Sequence, residues 1–352
     1  MVAAGAADLT GVYLTDIPTK VADRALTRAL LGYQRPVAWK SWWQFANSFA
    51  PFLAIATLMQ LSLAYSYWIT LALAPLAAGL LVRIFIIQHD CGHGSFFRSR
   101  RLNNLVGTIC GVLTLTPYHN WRRQHANHHA KWNNLDRRGA DVDLYSRCLT
   151  VREYQALSFW GRQRYRLLRN PLLLFVLLPP LVFFVLYRFP FDTPASWRRE
   201  RRSVHLNNLV IAAIVGALGW AIGFADLALV YGPIMIFASI AGIWLFFVQH
   251  QFENTSWQRT DKWSFMGAAL KGSSFLRLPG VLRWFTGNIG FHHVHHLNPR
   301  IPNYRLARCH ADNAALQVAP VVTLWSGLKA TLLCLWDEEK MRMVRLRDAV
   351  VA

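Results

Sequence analysis

WITLALAPLAAGLLVRIFIIQHDCGH, residues 68 to 93, joins an apolar run to two histidines four residues apart. Trp68 to Ile87 carries a single charge, Arg83. A hydrocarbon core of ~30 Å crossed at ~1.5 Å per residue needs roughly 20 such residues, so this stretch reads as a membrane-spanning helix. His89 and His93, at i and i+4, then share one face where the helix leaves the bilayer.

The whole chain fits that reading. It has 352 residues, 54% of them hydrophobic, and a mean hydropathy of +0.21, high for a soluble domain of this length. Against this background stand 38 Lys and Arg but only 18 Asp and Glu, a net charge of +20. A nucleic-acid binder would need a basic face on a soluble fold or a reading motif, and neither is found. Positive-inside topology accounts for the charge instead. The five cysteines form no CxxC pair, which fits reduced thiols. Asp8 and Asp16 interrupt any secretory apolar run, so no cleaved signal is expected. Trp39, Trp42 and Trp43 suit an aromatic belt at the first span.

Four segments are long and apolar enough to span: Ser48 to Ser66, Trp68 to Ile87, His205 to Phe224, and Leu227 to Gln249. Leu102 to Pro117 and Pro171 to Tyr187 are shorter, and Pro179 and Pro180 interrupt the second. The links near Tyr65 and at Gly223 to Asp226 carry no Lys or Arg and are expected outside. Arginines flank Pro171 to Tyr187 on both sides, so that segment reads as re-entrant or interfacial. Four spans return every histidine-rich segment to one face; five would divide them. The expectation is an all-α integral membrane protein of four transmembrane helices, re-entrant or interfacial helices, and a cytoplasmic helical cap holding a di-metal site. Residues 1–46 form a cytosolic arm, 47–310 the membrane domain, and 311–352 an amphipathic cytosolic tail. Metal site and both termini face the cytoplasm of a bacterial inner membrane.

Ten of the thirteen histidines fall in three clusters, all in the expected cytoplasmic segments. His125, His128 and His129 form one HxxHH; His292, His295 and His296 form another, each set presenting three imidazoles to one side of a helix. His250, at the end of the fourth span, is a ninth candidate. Nine imidazoles exceed one ion's needs and suit two, at four or five each. Imidazole alone permits iron, zinc or copper. His119 is a candidate for the surroundings of the site, while His293, His205 and His310 read as hydrogen-bonded, interfacial or solvated. A ligand histidine usually donates its other ring nitrogen to a carboxylate or carbonyl, which makes Asp90, Asp136, Asp141, Asp143 and Glu253 the available pool. Trp121 and Trp257 are candidates to line a substrate slot.

At HDCGH, HANHH and HHVHH, in that order, the sequence resembles the three histidine boxes of the membrane fatty acid desaturase family. QHDCGHGSFF, WNNLDRRGADVD, RNPLLLF, FVQHQFENTSW and FHHVHHLNPRIPNYRL resemble bacterial and plastid acyl-lipid desaturases of the omega-6 or Delta-12 type, from roughly Arg35 to Arg308. The resemblance implies a non-haem di-iron centre held by the eight box histidines with His250. It also implies insertion of a cis double bond into a lipid-linked acyl chain, using O2 and two electrons. Family members that carry a water-bridged asparagine have it four residues before the extra histidine, where this chain has Phe246; Asn288, four residues before His292, is the candidate substitute. No GxGxxG follows a strand, so electrons are expected from an external donor such as ferredoxin, attracted by the basic face.

Two rival readings use the same residues. A hydroxylase or ketolase would capture oxygen at the carbon in place of a second hydrogen loss. A metal transporter would place ionisable ligands near mid-bilayer, and a haem-binding electron carrier would face histidine pairs across helices; here the histidines sit at span ends among arginines. A zinc hydrolase lacks its HExxH.

Overall fold

The computed structural model describes residues 19–138 and 148–349. After a short helix α1 (Thr19–Leu30), the long helices α2 (Ala38–Ser62) and α3 (Tyr67–His93) form a hairpin. Ser66 caps α3 by accepting from the Trp68 amide, and Gly94, at φ 69°, ends it directly after His93. Then come α4 (Arg100–Leu113) and α5 (Tyr118–Lys131), α6 (Val151–Ala156), α7 (Phe159–Leu168) and α8 (Leu178–Phe184). A second long hairpin, α9 (Arg198–Ile222) and α10 (Phe224–Val248), follows. The remaining helices are α11 (Phe265–Lys271), α12 (Gly280–Phe285), α13 (His292–Leu297), α14 (Asn303–Asp312) and α15 (Leu324–Ala330).

Among the described residues, four helices, α2, α3, α9 and α10, are long and apolar enough to cross a membrane. Each starts before its hydropathic core. Charged residues mark the limit of the hydrocarbon, but the hydrogen-bond ladder continues past it. Thus α9 begins at Arg198 and α2 at Ala38, with Trp39, Trp42 and Trp43 exposed on its first turns. The segment from Phe159 to Arg188 bends by 49° between α7 and the apolar helix after it, a broken span or re-entrant loop. Pro179 and Pro180 follow directly on a π-helical turn (Leu173–Leu177), where the regular α ladder is already interrupted.

Helix α3 is the central post, the most buried of the four and packed against α2, α4 and α10. Arg83 within it donates from its two terminal nitrogens to the Trp284 carbonyl and to Asn47 Oδ1 (3.3 Å). Its guanidinium also stacks 4.1 Å from the centre of the Trp284 ring, a desolvated cation–π contact worth about 2 kcal/mol. Close packing of α4 on α5 depends on Gly107, whose added Cβ would sit 2.3 Å from the Tyr118 ring.

Small strands supplement the helical cap. β1 (Leu149–Thr150) pairs in parallel with β4 (Leu333–Asp337), which pairs antiparallel with β5 (Arg342–Arg345); β2 (Phe275–Arg277) pairs in parallel with β3 (Val321–Thr323). Within 311–352, expected as an amphipathic cytosolic tail, residues 321–345 supply three of these strands, and Gly327 of α15 packs on Trp244 of α10. The five cysteines are free and buried.

Candidate metal centre

The helices bring nine imidazoles to one end of the bundle. His89 and His93 lie on the last turns of α3, His250 two residues beyond α10, His125, His128 and His129 on α5, and His292, His295 and His296 on α13. They converge as two groups able to hold an ion. His89, His93, His125, His129 and His295 form one; His128, His250 and His296 form the other, with ligand atoms of each group within 4.8 Å of one another. His292 joins the second group, its Nε2 3.2 Å from that of His250. The His129 ring stacks on His296 at 4.1 Å and couples the two groups.

The donor set fits metal ions and little else. His250 Nδ1 lies 2.7 Å from the Phe246 carbonyl, so Nδ1 carries the proton and Nε2 presents a lone pair. That one nitrogen faces the Nε2 atoms of His128 (2.9 Å), His296 (2.9 Å) and His292 (3.2 Å), more neighbours than one lone pair can accept from. Two nitrogens each about 2.1 Å from a shared ion, at tetrahedral or octahedral angles, stand roughly 3.0–3.4 Å apart. The same spacing recurs between His125 and His129 (3.1 Å) and between His129 and His295 (3.0 Å). Burial, and then the neighbouring imidazoles, pushes His125, His129, His292, His295 and His296 well below the usual histidine range, which keeps them in the neutral, ligating form.

Around the imidazoles the expected candidates sort clearly. Asp90 Oδ1 is 3.2 Å from His89 Nδ1, and its Oδ2 accepts from both the Asn303 amide (2.7 Å) and Asn303 Nδ2 (2.8 Å). Trp121 stacks on His125 at 4.7 Å. Glu253 is turned away: its exposed carboxylate pairs with Arg342 at 3.5 Å, because the chain has left α10 before reaching it. Asp136 pairs with Arg259 at 2.8 Å on the surface, and Asp141 and Asp143 lie outside the described residues. Asn288 occupies a left-handed turn (φ 58°) before α13. His119 is half-buried against Tyr118, and burial followed by Arg199 and Arg122 pushes its pKa down. Phe246, in place of an asparagine, lays its ring 4.7 Å from that of His250. His293 pairs with His310 at 3.0 Å, away from the cluster. Sequence reasoning missed Asn303, although it lies in the quoted NPRIPNYRL stretch at the first turn of α14.

A family model for fatty acid desaturase matches residues 66–327. A fatty acid desaturase of Bacillus subtilis (strain 168) is 43% identical over 324 residues, covering 92% of this chain and 91% of that protein. This chain belongs to the fatty acid desaturase family. It is accordingly an oxidoreductase. An sn-1 acyl-lipid omega-3 desaturase (ferredoxin) of Synechocystis is 31% identical over 243 residues, 64% of this chain and 62% of that one. An endoplasmic-reticulum omega-3 fatty acid desaturase of Nicotiana tabacum is 31% identical over 270 residues, covering 72% and 67%. The positional name these two relatives carry is omega-3, where the motifs resembled the omega-6 or Delta-12 type.

In this desaturase a cavity of about 400 Å³ ends on His89, His125, His128 and His292. Its walls come from α3, α8 and α10 and are mostly apolar, with Leu81, Val182, Met235 and Phe246 among them. Trp121 lines it; Trp257 does not, and packs instead 5.0 Å from Trp132 in the cap. Two polar groups on the wall satisfy each other, Gln124 Nε2 donating to Asp192 Oδ2 at 3.0 Å.

Proposed function

We propose that this chain is an O2-dependent membrane desaturase that introduces a cis double bond into a lipid-linked acyl chain. The nine imidazoles hold two irons, His89, His93, His125, His129 and His295 around one and His128, His250, His292 and His296 around the other. The site and both termini face the cytoplasm of a bacterial inner membrane, and an external carrier such as a ferredoxin supplies electrons. The observation that carries this reading is the apolar cavity that stops at imidazoles of both groups.

A bound iron pair supplies the oxidant: one O2, two electrons and two protons are consumed, two hydrogens leave adjacent methylenes, and water is released. The protein's own part is positional. Asp90 and the Phe246 carbonyl fix the tautomers of His89 and His250, so that both Nε2 atoms point inward. The walls at Val182, Phe183 and Ile243 hold an extended chain and exclude water from the reacting carbons. The basic residues collected at the histidine end of the bundle agree with a cytoplasmic site.

Asn303→Ala removes one of the two donors to Asp90 Oδ2. It is expected to weaken iron retention roughly 10- to 100-fold, the usual cost of losing an outer partner of a metal ligand. Iron content after graded chelation checks this, and unchanged retention would refute the relay. The reaction class is tested by expressing the protein in a host that makes only saturated and monounsaturated chains and locating new double bonds by mass spectrometry. A gain of oxygen in the chain would replace desaturation by hydroxylation.

A further inference from the structure

A second cavity, of about 260 Å³, opens in the cap and is lined by Asn133, Ser256, Gln258, Trp263 and two exposed lysines, Lys262 and Lys271. It shares no lining residue with the acyl cavity. Trp263 Nε1 donates to the Trp132 carbonyl at 2.8 Å, and the Trp132 ring lies 4.3 Å from that of His250 and 5.1 Å from that of His128. Trp132 is itself clamped, its Nε1 donating to the Gly272 carbonyl at 2.9 Å. Asn133 fits only because residue 272 has no side chain, since a Cβ there would sit 1.9 Å from Asn133 Nδ2. Two indoles in fixed positions thus connect a polar, cationic cleft to the imidazole cluster. The neighbouring Arg259 is neutralised by Asp136 and Glu338, which leaves Lys262 and Lys271 as the cations lining the cleft.

We propose that this cleft is the docking site of the electron donor, a small acidic one-electron carrier protein that seats over Trp263 against Lys262 and Lys271. The assignment rests on the desaturase reading. Each encounter oxidises one carrier by one electron and delivers that electron past Trp132 to the His250 side of the centre. Two encounters supply the pair consumed per double bond, with protons drawn from solvent. Charge complementarity sets the encounter rate and makes it salt-dependent.

The test uses the full-length, iron-loaded protein in bilayer vesicles with two electron sources: a purified acidic [2Fe–2S] ferredoxin, and dithionite with methyl viologen, which needs no docking. For the double variant Lys262→Glu and Lys271→Glu, ferredoxin binding to the iron-free protein, read by surface plasmon resonance, is expected to weaken at least 10-fold, and ferredoxin-supported desaturation to fall at least 10-fold and no longer to decline with added salt. The rate with methyl viologen stays within twofold. The neutral pair Lys262→Gln and Lys271→Gln, which keeps the shape of the cleft, gives an intermediate loss. An unchanged ferredoxin rate, or equal losses with both donors, overturns the docking site while leaving the desaturase reading intact. A wild type that forms no double bond with either donor overturns both.

Discussion

Replacing His250 by alanine is expected to abolish double-bond formation and to leave fewer than two irons per chain. Its Nε2 is the meeting point of the second imidazole group, within 3.2 Å of three other Nε2 atoms, and its ring is aimed by the Phe246 carbonyl. Without it, three imidazoles remain there, while the group of five keeps its full set. Product should fall by at least about 100-fold, beyond the cost of losing an outer hydrogen-bond partner, and iron should drop towards one per chain. Metal analysis and lipid profiling of the same membranes check both, with circular dichroism to establish that the helices persist. Alanine at His89, His125, His128, His292 or His296 should likewise eliminate product. His205→Ala, on the exposed face of α9, and His310→Ala should retain it. Full activity and two irons in His250→Ala would refute the ligand set.

Local periodicity made most of this centre legible. HxxHH and HxxxH put their imidazoles on one face because a helix repeats every 3.6 residues, and the apolar runs said where those helices end. Asp90 was legible for the same reason, as the residue beside a box histidine. What escaped is long-range or non-helical. Asn303 is 213 residues from the carboxylate it holds, a pairing that no local pattern encodes. Glu253 lies three residues past His250, a spacing that means a shared face only inside a helix, and the chain has already turned out of α10. Trp257 was suspected because it follows His250 closely, but the same turn carries it into the cap against Trp132. The acyl cavity itself needs three helices brought together, so its lining could not be read from any one of them.

Gly242→Phe is expected to cost at least 10-fold in desaturation of long acyl chains while leaving iron content unchanged. Met235, Ser239, Gly242, Phe246 and Gln249 line the cavity at spacings of three and four, so Gly242 sits at the centre of the lining stripe of α10. From Met235 to Gln249 that stripe rises about 21 Å, and Gly242 stands about 10 Å from its imidazole end. A Cβ at 242 would meet no atom within 4 Å. The added ring therefore projects into free space without straining the fold, and loss of a helical glycine favours α10 slightly. Whatever part of the acyl chain reaches deeper than that level must pass this ring. Substrates short enough to end above it should be spared, so the ratio of short- to long-chain product should rise. Gas chromatography of lipids from cells expressing each form checks the ratio. An unchanged chain-length profile with normal iron would mean that the acyl chain does not lie along α10.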